Sequence, residues 1–413
     1  MPPSEASPLL GHDASNGAAA NGSFAHRVKA LVAAEGEPSW AQSYKFFLFG
    51  SYLNILLVFV PLSALAHHLN WDAALRFSFS FIAIIPLAKL LGEATEQMSA
   101  KLGQTLAGLL NASFGNAVEI IVSVAALLQN EIRIVQTSLL GSILSNLLLV
   151  LGCSFLAAGT KFKESNFQVT AAQAYVVLMT LACITLVIPA AYHSTTAESA
   201  SNTFRWTINS LDKFEPSEGL LAISRGTAIL LLLVYVGYLY FQLKSHSYLF
   251  DAPEAESEAP HMSVVAAGVA LLGTTVVTSF CADYLVASIE ETAERYSIPK
   301  PFIGLILLPI VANAAEHVTS VWMAMKGQME ITIGVCVGSS IQIASFVIPL
   351  LVIVGWATNH GMSLFFANFE TVTLFVSVFL VNTLIQDGKS NYMEGVMLVT
   401  LYFVIALAFW HSE

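Results

Sequence analysis

The chain has 413 residues, of which 56% are hydrophobic and only 11% charged, and its formal net charge is −11. A soluble chain of this length carries about 25% charged residues, and a larger core would not remove the deficit because its surface would still need charge. A water-soluble fold is therefore excluded, and the excess of 28 acids over 17 bases argues against a nucleic-acid partner.

In chain order, residues 1–43 are rich in Ala, Ser, Gly, Asn and Pro and hold no apolar core, so they read as a disordered cytosolic tail and not as a signal peptide. Within the tail, Glu5-Ala6-Ser7-Pro8-Leu9-Leu10 has the pattern of an acidic dileucine sorting signal of endosomal and vacuolar membrane proteins. About twenty apolar residues cross a bilayer as a helix. On that rule the spans fall near 44–66, 73–99, 103–128, 133–159, 168–192 and 219–244, and then near 262–290, 299–326, 330–357, 361–385 and 391–411. The fold class expected is thus an all-α integral membrane protein of about eleven transmembrane helices. The acidic stretch at 245–261 divides these spans six and five. With the tail in the cytosol, nine Lys and Arg fall on the cytosolic side against seven on the far side, which favours that orientation. Cys153, Cys183, Cys281 and Cys336 all lie in apolar stretches without a C-x-x-C, which argues against a disulfide framework or a zinc site.

A repeat organises the two halves. Sliding the chain by 197 positions puts Asn116 on Asn313, Glu119 on Glu316, Ser123 on Ser320, Gly141 on Gly338 and Ser142 on Ser339, without a gap. An odd number of spans separates the copies, so the second crosses the bilayer in the opposite sense. Inverted repeats are a common plan of secondary transporters, with the site at the midplane where the repeats meet.

The polar residues inside these spans form the candidate site. Asn116 and Glu119 in the third span, and Asn313 and Glu316 in the eighth, are three apart and share a helix face. A carboxylate at mid-depth costs several kcal/mol unless paired or hydrated, and two at matching places in a repeat are best explained by one shared cation. Interhelical hydrogen bonding is the structural alternative. The following spans contribute Ser142, Ser145 and Asn146 in the first repeat, and Ser339 and Gln342 in the second. Tight helix packing explains the serines equally well, but amides facing lipid need partners. Pro309, four residues before Asn313, frees a backbone carbonyl near the site. Carboxylate, amide, hydroxyl and backbone oxygens make a hard-oxygen site of the kind calcium takes. Zinc or copper would want His and Cys, and His317 is the only adjacent histidine. Two carboxylates neutralise one divalent cation or two protons, an arrangement suited to exchange.

The segments Asn111-Ala-Ser-Phe-Gly-Asn-Ala-Val-Glu119 and Pro309-Ile-Val-Ala-Asn-Ala-Ala-Glu-His317 closely resemble the paired signature motifs of the cation/proton exchangers, within the calcium/cation antiporter superfamily. The resemblance covers about 44–411, and the tail and acidic loop are similar to those of fungal vacuolar calcium/proton exchangers. It implies eleven helices, an extra first helix at 44–66 packed on two five-helix repeats at 67–244 and 262–413, calcium held near Glu119 and Glu316, and an acidic cytosolic loop or helix at 245–261, after the sixth span, that influences calcium uptake. It also implies a vacuolar membrane location, with Ca2+ and H+ as substrates and no cofactor besides them. Sodium/calcium members typically carry a further carboxylate where this chain has Ser145, Asn146 and Gln342, so proton coupling is expected; a sodium/calcium-type exchanger or a cation channel is the alternative.

Other acids suggest further roles. Glu93 and Glu96 end the second span, and Glu290, Glu291 and Glu294 end the seventh; they are candidates for vestibules on opposite membrane faces, or plain solvated helix ends. Asp251, Glu254, Glu256 and Glu258 form a candidate regulatory acidic loop, flanked by His246 and His261. No H-E-x-x-H, Ser-His or paired-Asp arrangement marks an enzyme. A homo-oligomer is compatible with the sequence and not indicated by it.

Overall fold

The computed structural model describes residues 38–100, 102, 104–200, 217–249 and 260–411. The expected tail with its dileucine pattern lies almost entirely outside the described residues, and the acidic cluster Asp251, Glu254, Glu256 and Glu258 lies wholly outside them. Nearly everything described is helical: α1 Trp40–Phe49, α2 Tyr52–His68, α3 Ala73–Ser99, α4 Gln104–Phe114, α5 Ala117–Leu128, α6 Ile132–Gly159 and α7 Val169–Ala200, then α8 Glu218–Ser245, α9 Val264–Tyr296, α10 Lys300–Ala312, α11 Ala314–Met325, α12 Met329–Ala357, α13 Asn368–Ile385 and α14 Tyr392–Trp410. Strands β1 Ser165–Asn166 and β2 Lys389–Ser390 form one short antiparallel pair between helices. Among the described residues, eight helices are long and apolar enough to cross a membrane unbroken, and counting each of three bent pairs as one span brings the number to eleven. The chain is an integral membrane protein whose large hydrophobics on the outer faces of α7, α8 and α13 are exposed, as a lipid-facing surface requires.

Helix starts follow local capping. Asp72 accepts from Ala74 N, Ser217 from Leu220 N and Ser263 from Ala266 N, while Asn391 and Glu394 cap α14 reciprocally.

The first span differs from expectation. In place of one helix over 44–66, α1 and α2 meet at Gly50-Ser51 with an 87° bend. Asn54 holds the corner, its Nδ2 donating to Phe47 O at 2.9 Å and Leu48 O at 3.0 Å, carbonyls the break leaves open. Helix α2 opens as a 3-10 helix, Tyr52–Val58. At about 2 Å rise per residue there and 1.5 Å beyond, it is roughly 30 Å long, about the thickness of the hydrocarbon core. The bend sets α1 nearly perpendicular to it. The tenth span also begins later than 361, because α13 starts at Asn368.

The repeat is visible in the irregularities. The third span breaks between α4 and α5 by 41° and the eighth between α10 and α11 by 58°. The fourth and ninth spans carry π-helical turns at Ser145–Val150 and Ile343–Val347, positions related by the 197-residue shift to within one residue. Such turns leave backbone groups out of the regular ladder and gather at functional sites. The long helices α3 and α9 lie against each other through the centre of the bundle. Gly141 in α6 sits where a Cβ would collide with Leu305 O and Pro309 of α10, whereas its repeat mate Gly338 has open space.

Candidate cation site

Both broken spans stop at the asparagine of their motif. Asn116 and Asn313 occupy the cap positions before α5 and α11, and Glu119 and Glu316 fall in the first turns. A half-helix that begins inside the bundle directs unpaired N–H groups and its positive dipole end toward the centre, where it favours negative charge. The Gly115-Asn116 and Asn313 breaks thus place each carboxylate at a helix N-terminus within the protein.

One chain of hydrogen bonds joins the repeats. Asn116 Nδ2 donates to Gln342 Oε1 at 2.6 Å, and Ser339 Oγ donates to Asn116 Oδ1 at 2.9 Å. Asn146 Nδ2 donates to Ser339 Oγ at 3.0 Å and to Glu316 Oε2 at 2.8 Å. The sequence Gln342–Asn116–Ser339–Asn146–Glu316 alternates between halves, so the two motifs are held in one constellation. Asn313 Nδ2 reaches Ser142 O at 3.4 Å. Asn146 Oδ1 and Asn313 Oδ1 are buried without a hydrogen-bond partner. Buried acceptors without donors are costly, and these two amide oxygens add to the carboxylates hard acceptors that no proton donor occupies. That is the donor chemistry a cation such as calcium takes.

A cavity of about 270 Å³ gives access to this set. Glu119, Glu316, Gly115, Ala315 and Thr319 line its inner end, and Glu93, Glu96 and Lys89 line its wall along α3. A second, much smaller void of about 20 Å³ lies against Glu119, lined by Val122, Ser123, Ser138, Ser142, Leu285, Leu308 and Pro309. It has room for about one water. The voids are images under the repeat shift: Glu119, Val122, Ser138, Leu285, Val311 and Ala312 of the small one correspond to Glu316, Thr319, Val335, Ala88, Phe114 and Gly115 of the large one. The structure therefore has one wide half-path and its narrow counterpart.

Of the residues expected to act, Glu119, Glu316, Asn116, Asn146, Ser339 and Gln342 come together directly. Asn313 and Ser142 adjoin them, and Ser145 opens the π turn on the same helix. His317 is not on the cavity wall; its Nδ1 is taken by Asn313 O at 2.9 Å. Glu93 and Glu96 belong to the wide cavity. Glu290, Glu291 and Glu294 do not: Glu290 accepts from Lys300 Nζ at 3.0 Å, Glu291 pairs with Arg76, and Glu294 is exposed near Arg295, which pairs with Asp72 at 2.5 Å. These ion pairs tie α3, α9 and α10 together at the opposite face from Glu93. Thr319 and Ser138 escaped the sequence reading because their repeat mates, Val122 and Val335, are apolar and the shift showed no polar match.

The sodium/calcium exchanger protein family matches residues 72–244 and 266–411, which takes in both halves. The chain is 47% identical over 367 residues to the vacuolar calcium ion transporter of Schizosaccharomyces pombe, covering 88% of this chain and 86% of that protein. It is 40% identical over 384 residues to vacuolar cation/proton exchanger 5 of Arabidopsis thaliana, covering 90% and 84%. Among solved structures, that of the Ca2+/H+ antiporter protein YfkE superposes with a TM-score of 0.71 at 33% identity, over 87% of this chain and 98% of that one. With the paired motifs, the broken helices and both halves accounted for, the chain belongs to the sodium/calcium exchanger protein family.

Proposed function

We propose that this protein is a secondary active antiporter that moves Ca2+ out of the cytosol into an acidic compartment, the vacuole or its equivalent, in exchange for H+. The observation that carries this reading is the pair of repeat-related glutamates, Glu119 and Glu316, lining one cavity that is wide toward one face and closed toward the other. Two buried carboxylates are poorly tolerated unless compensated, and one divalent cation or two protons compensate them equally. Glu119 and Glu316 would hold calcium with oxygens of Asn116, Asn146 and Asn313. Calcium would leave its hydration water for these oxygens, and protons arriving from the other side would displace it. With the N-terminal tail in the cytosol, the wide cavity with Glu93 and Glu96 faces the cytosol and the ion-paired face lies toward the compartment. Glu290, Glu291 and Glu294 would then line the corresponding vestibule when that face opens.

The small void walled by Ile84, Leu285 and Leu308 supports alternating access over a continuous channel, since it admits no hydrated cation. Sodium coupling is the second reading. Against it, the elements at Ser145, Asn146, Ser339 and Gln342 add only neutral oxygens to the two carboxylates. The test is calcium uptake into proteoliposomes under an imposed pH gradient, with and without sodium. Uptake driven by the proton gradient alone is expected; uptake that requires a sodium gradient would replace this reading with the second.

A further inference from the structure

Glu93, on the wall of the wide cavity, is held from behind. Its Oε2 lies 3.5 Å from Lys89 Nζ, and its Oε1 accepts from Gln97 Nε2 at 3.2 Å. Gln97 is buried, one turn further along α3. Its own Oε1 accepts two backbone N–H groups, from His261 at 2.8 Å and Met262 at 3.2 Å, in the segment that leads into α9. An amide has one accepting end and one donating end. Two N–H groups claim the oxygen, so the NH2 can face only the carboxylate, and the orientation of Gln97 is fixed by its partners. The segment is in turn held by α1: the His261 ring stacks on Phe46 at 4.5 Å between centroids, and Ser263 N donates to Ser43 Oγ at 3.2 Å.

The partners of Gln97 belong to opposite functions. Glu93 faces the cavity, while His261 and Met262 are the first turn of approach to α9. Helix α9 has 33 residues, about 50 Å of continuous helix. Its far end carries Glu290, Glu291 and Arg295, which make the ion pairs that close the opposite face. A rod of that length transmits displacement from one end to the other. When α9 shifts against α3 to open the closed face, His261 and Met262 move relative to Gln97, and the donor that aims Glu93 is disturbed.

We propose that Gln97 is a positioning residue for cation capture: it aims the Glu93 carboxylate into the cavity and ties that aim to the position of α9. Glu93 is presented while the opposite face is sealed and released when α9 moves. This rests on the antiporter reading and specifies how the capture side of that site is regulated. Lys89, on the same cavity wall, is the competing partner; without the Gln97 donor, Glu93 closes on its ammonium and its charge is neutralised there instead of being offered to an incoming cation.

The experiment is initial proton-driven calcium uptake in proteoliposomes of the full chain, as a function of calcium on the side of the wide cavity. Gln97→Leu is expected to raise the apparent KM roughly three- to tenfold, less than one hydrogen bond to a charged group is worth because the effect reaches calcium only through the aim of Glu93, with Vmax within about twofold of the unsubstituted protein. Glu93→Gln is expected to raise KM as well, and Glu93→Gln with Gln97→Leu to match Glu93→Gln alone, because Gln97 acts through Glu93. Should Gln97→Leu fail to insert, Gln97→Met, unbranched and close to Gln in length, removes the donor with less change of shape and adds no charge beside Glu93; it is expected to raise KM in the same range and to lose that effect in the Glu93→Gln background. An unchanged KM in Gln97→Leu and Gln97→Met, or KM effects that multiply in the double variants, would overturn the proposal. Failure of the functional reading looks different: the unsubstituted protein would then show no proton-driven uptake.

Discussion

The amide of Asn146, in the first half of the chain, donates to the carboxylate of Glu316, in the second, at 2.8 Å, while its own oxygen has no donor at all. One end of the side chain holds the carboxylate of the other repeat in place, and the opposite end is, in the proposed reading, an acceptor for the cation. Asn146→Leu removes both. Calcium uptake by that variant is expected to fall at least about tenfold in Vmax/KM, with the protein still folded, since one ligand and one charge-assisted hydrogen bond are lost. Uptake kinetics with a size-exclusion profile measure it; near-normal uptake would leave Asn146 a packing residue.

The repeat mates Gly141 and Gly338 are expected to differ. A Cβ on Gly141 meets Leu305 O and Pro309, and one on Gly338 meets nothing within 4 Å. Gly141→Ala should cost about 1–3 kcal/mol through overpacking, and Gly338→Ala should be neutral or slightly stabilising through helix propensity. Thermal unfolding of the purified variants in detergent decides this. Equal loss at both positions would contradict the asymmetric packing of α6 on α10.

The sequence alone makes the spans, the repeat and the carboxylate pair legible, because a Glu or Asn stands out inside twenty apolar residues. What it hides is pairing across the repeats. The 197-residue shift sets Ser145 on Gln342 and Asn146 on Ile343. It therefore gives no hint that Gln342 takes Asn116 while Asn146 takes Glu316. The 87° corner at Gly50-Ser51 was equally hidden, since hydropathy runs through it and the bend depends on Asn54 closing two carbonyls. Likewise the two acid clusters at Glu93 and Glu290 match under the shift, yet one lines a cavity and the other is locked in an ion pair. A sequence symmetric in its motifs folds into a structure that is not symmetric in its state.

The ion pairs at the closed face bear on that state. Partly exposed pairs of this kind contribute up to about 1 kcal/mol each, so removing two shifts a two-state balance severalfold. Arg76→Gln with Lys300→Gln is expected to raise the labelling rate of a cysteine placed at Ser138, in a background without Cys153, Cys183, Cys281 and Cys336, by an impermeant thiol reagent applied to that face. An unchanged rate would show that the pairs do not hold the face closed.

The central claim is that Glu119 and Glu316 exchange one calcium for protons. A proton crossing one pH unit releases about 1.4 kcal/mol, so an interior two to three units more acidic supplies roughly 3–4 kcal/mol per proton. The most direct measurement is calcium uptake into proteoliposomes with an acidic interior, for the unsubstituted chain, Glu119→Gln and Glu316→Gln, with and without a protonophore. The account predicts uptake that collapses with the protonophore, and at least a hundredfold loss in either variant while each remains folded and inserted. Near-normal uptake by either variant, or uptake indifferent to the protonophore and driven by sodium, would contradict it.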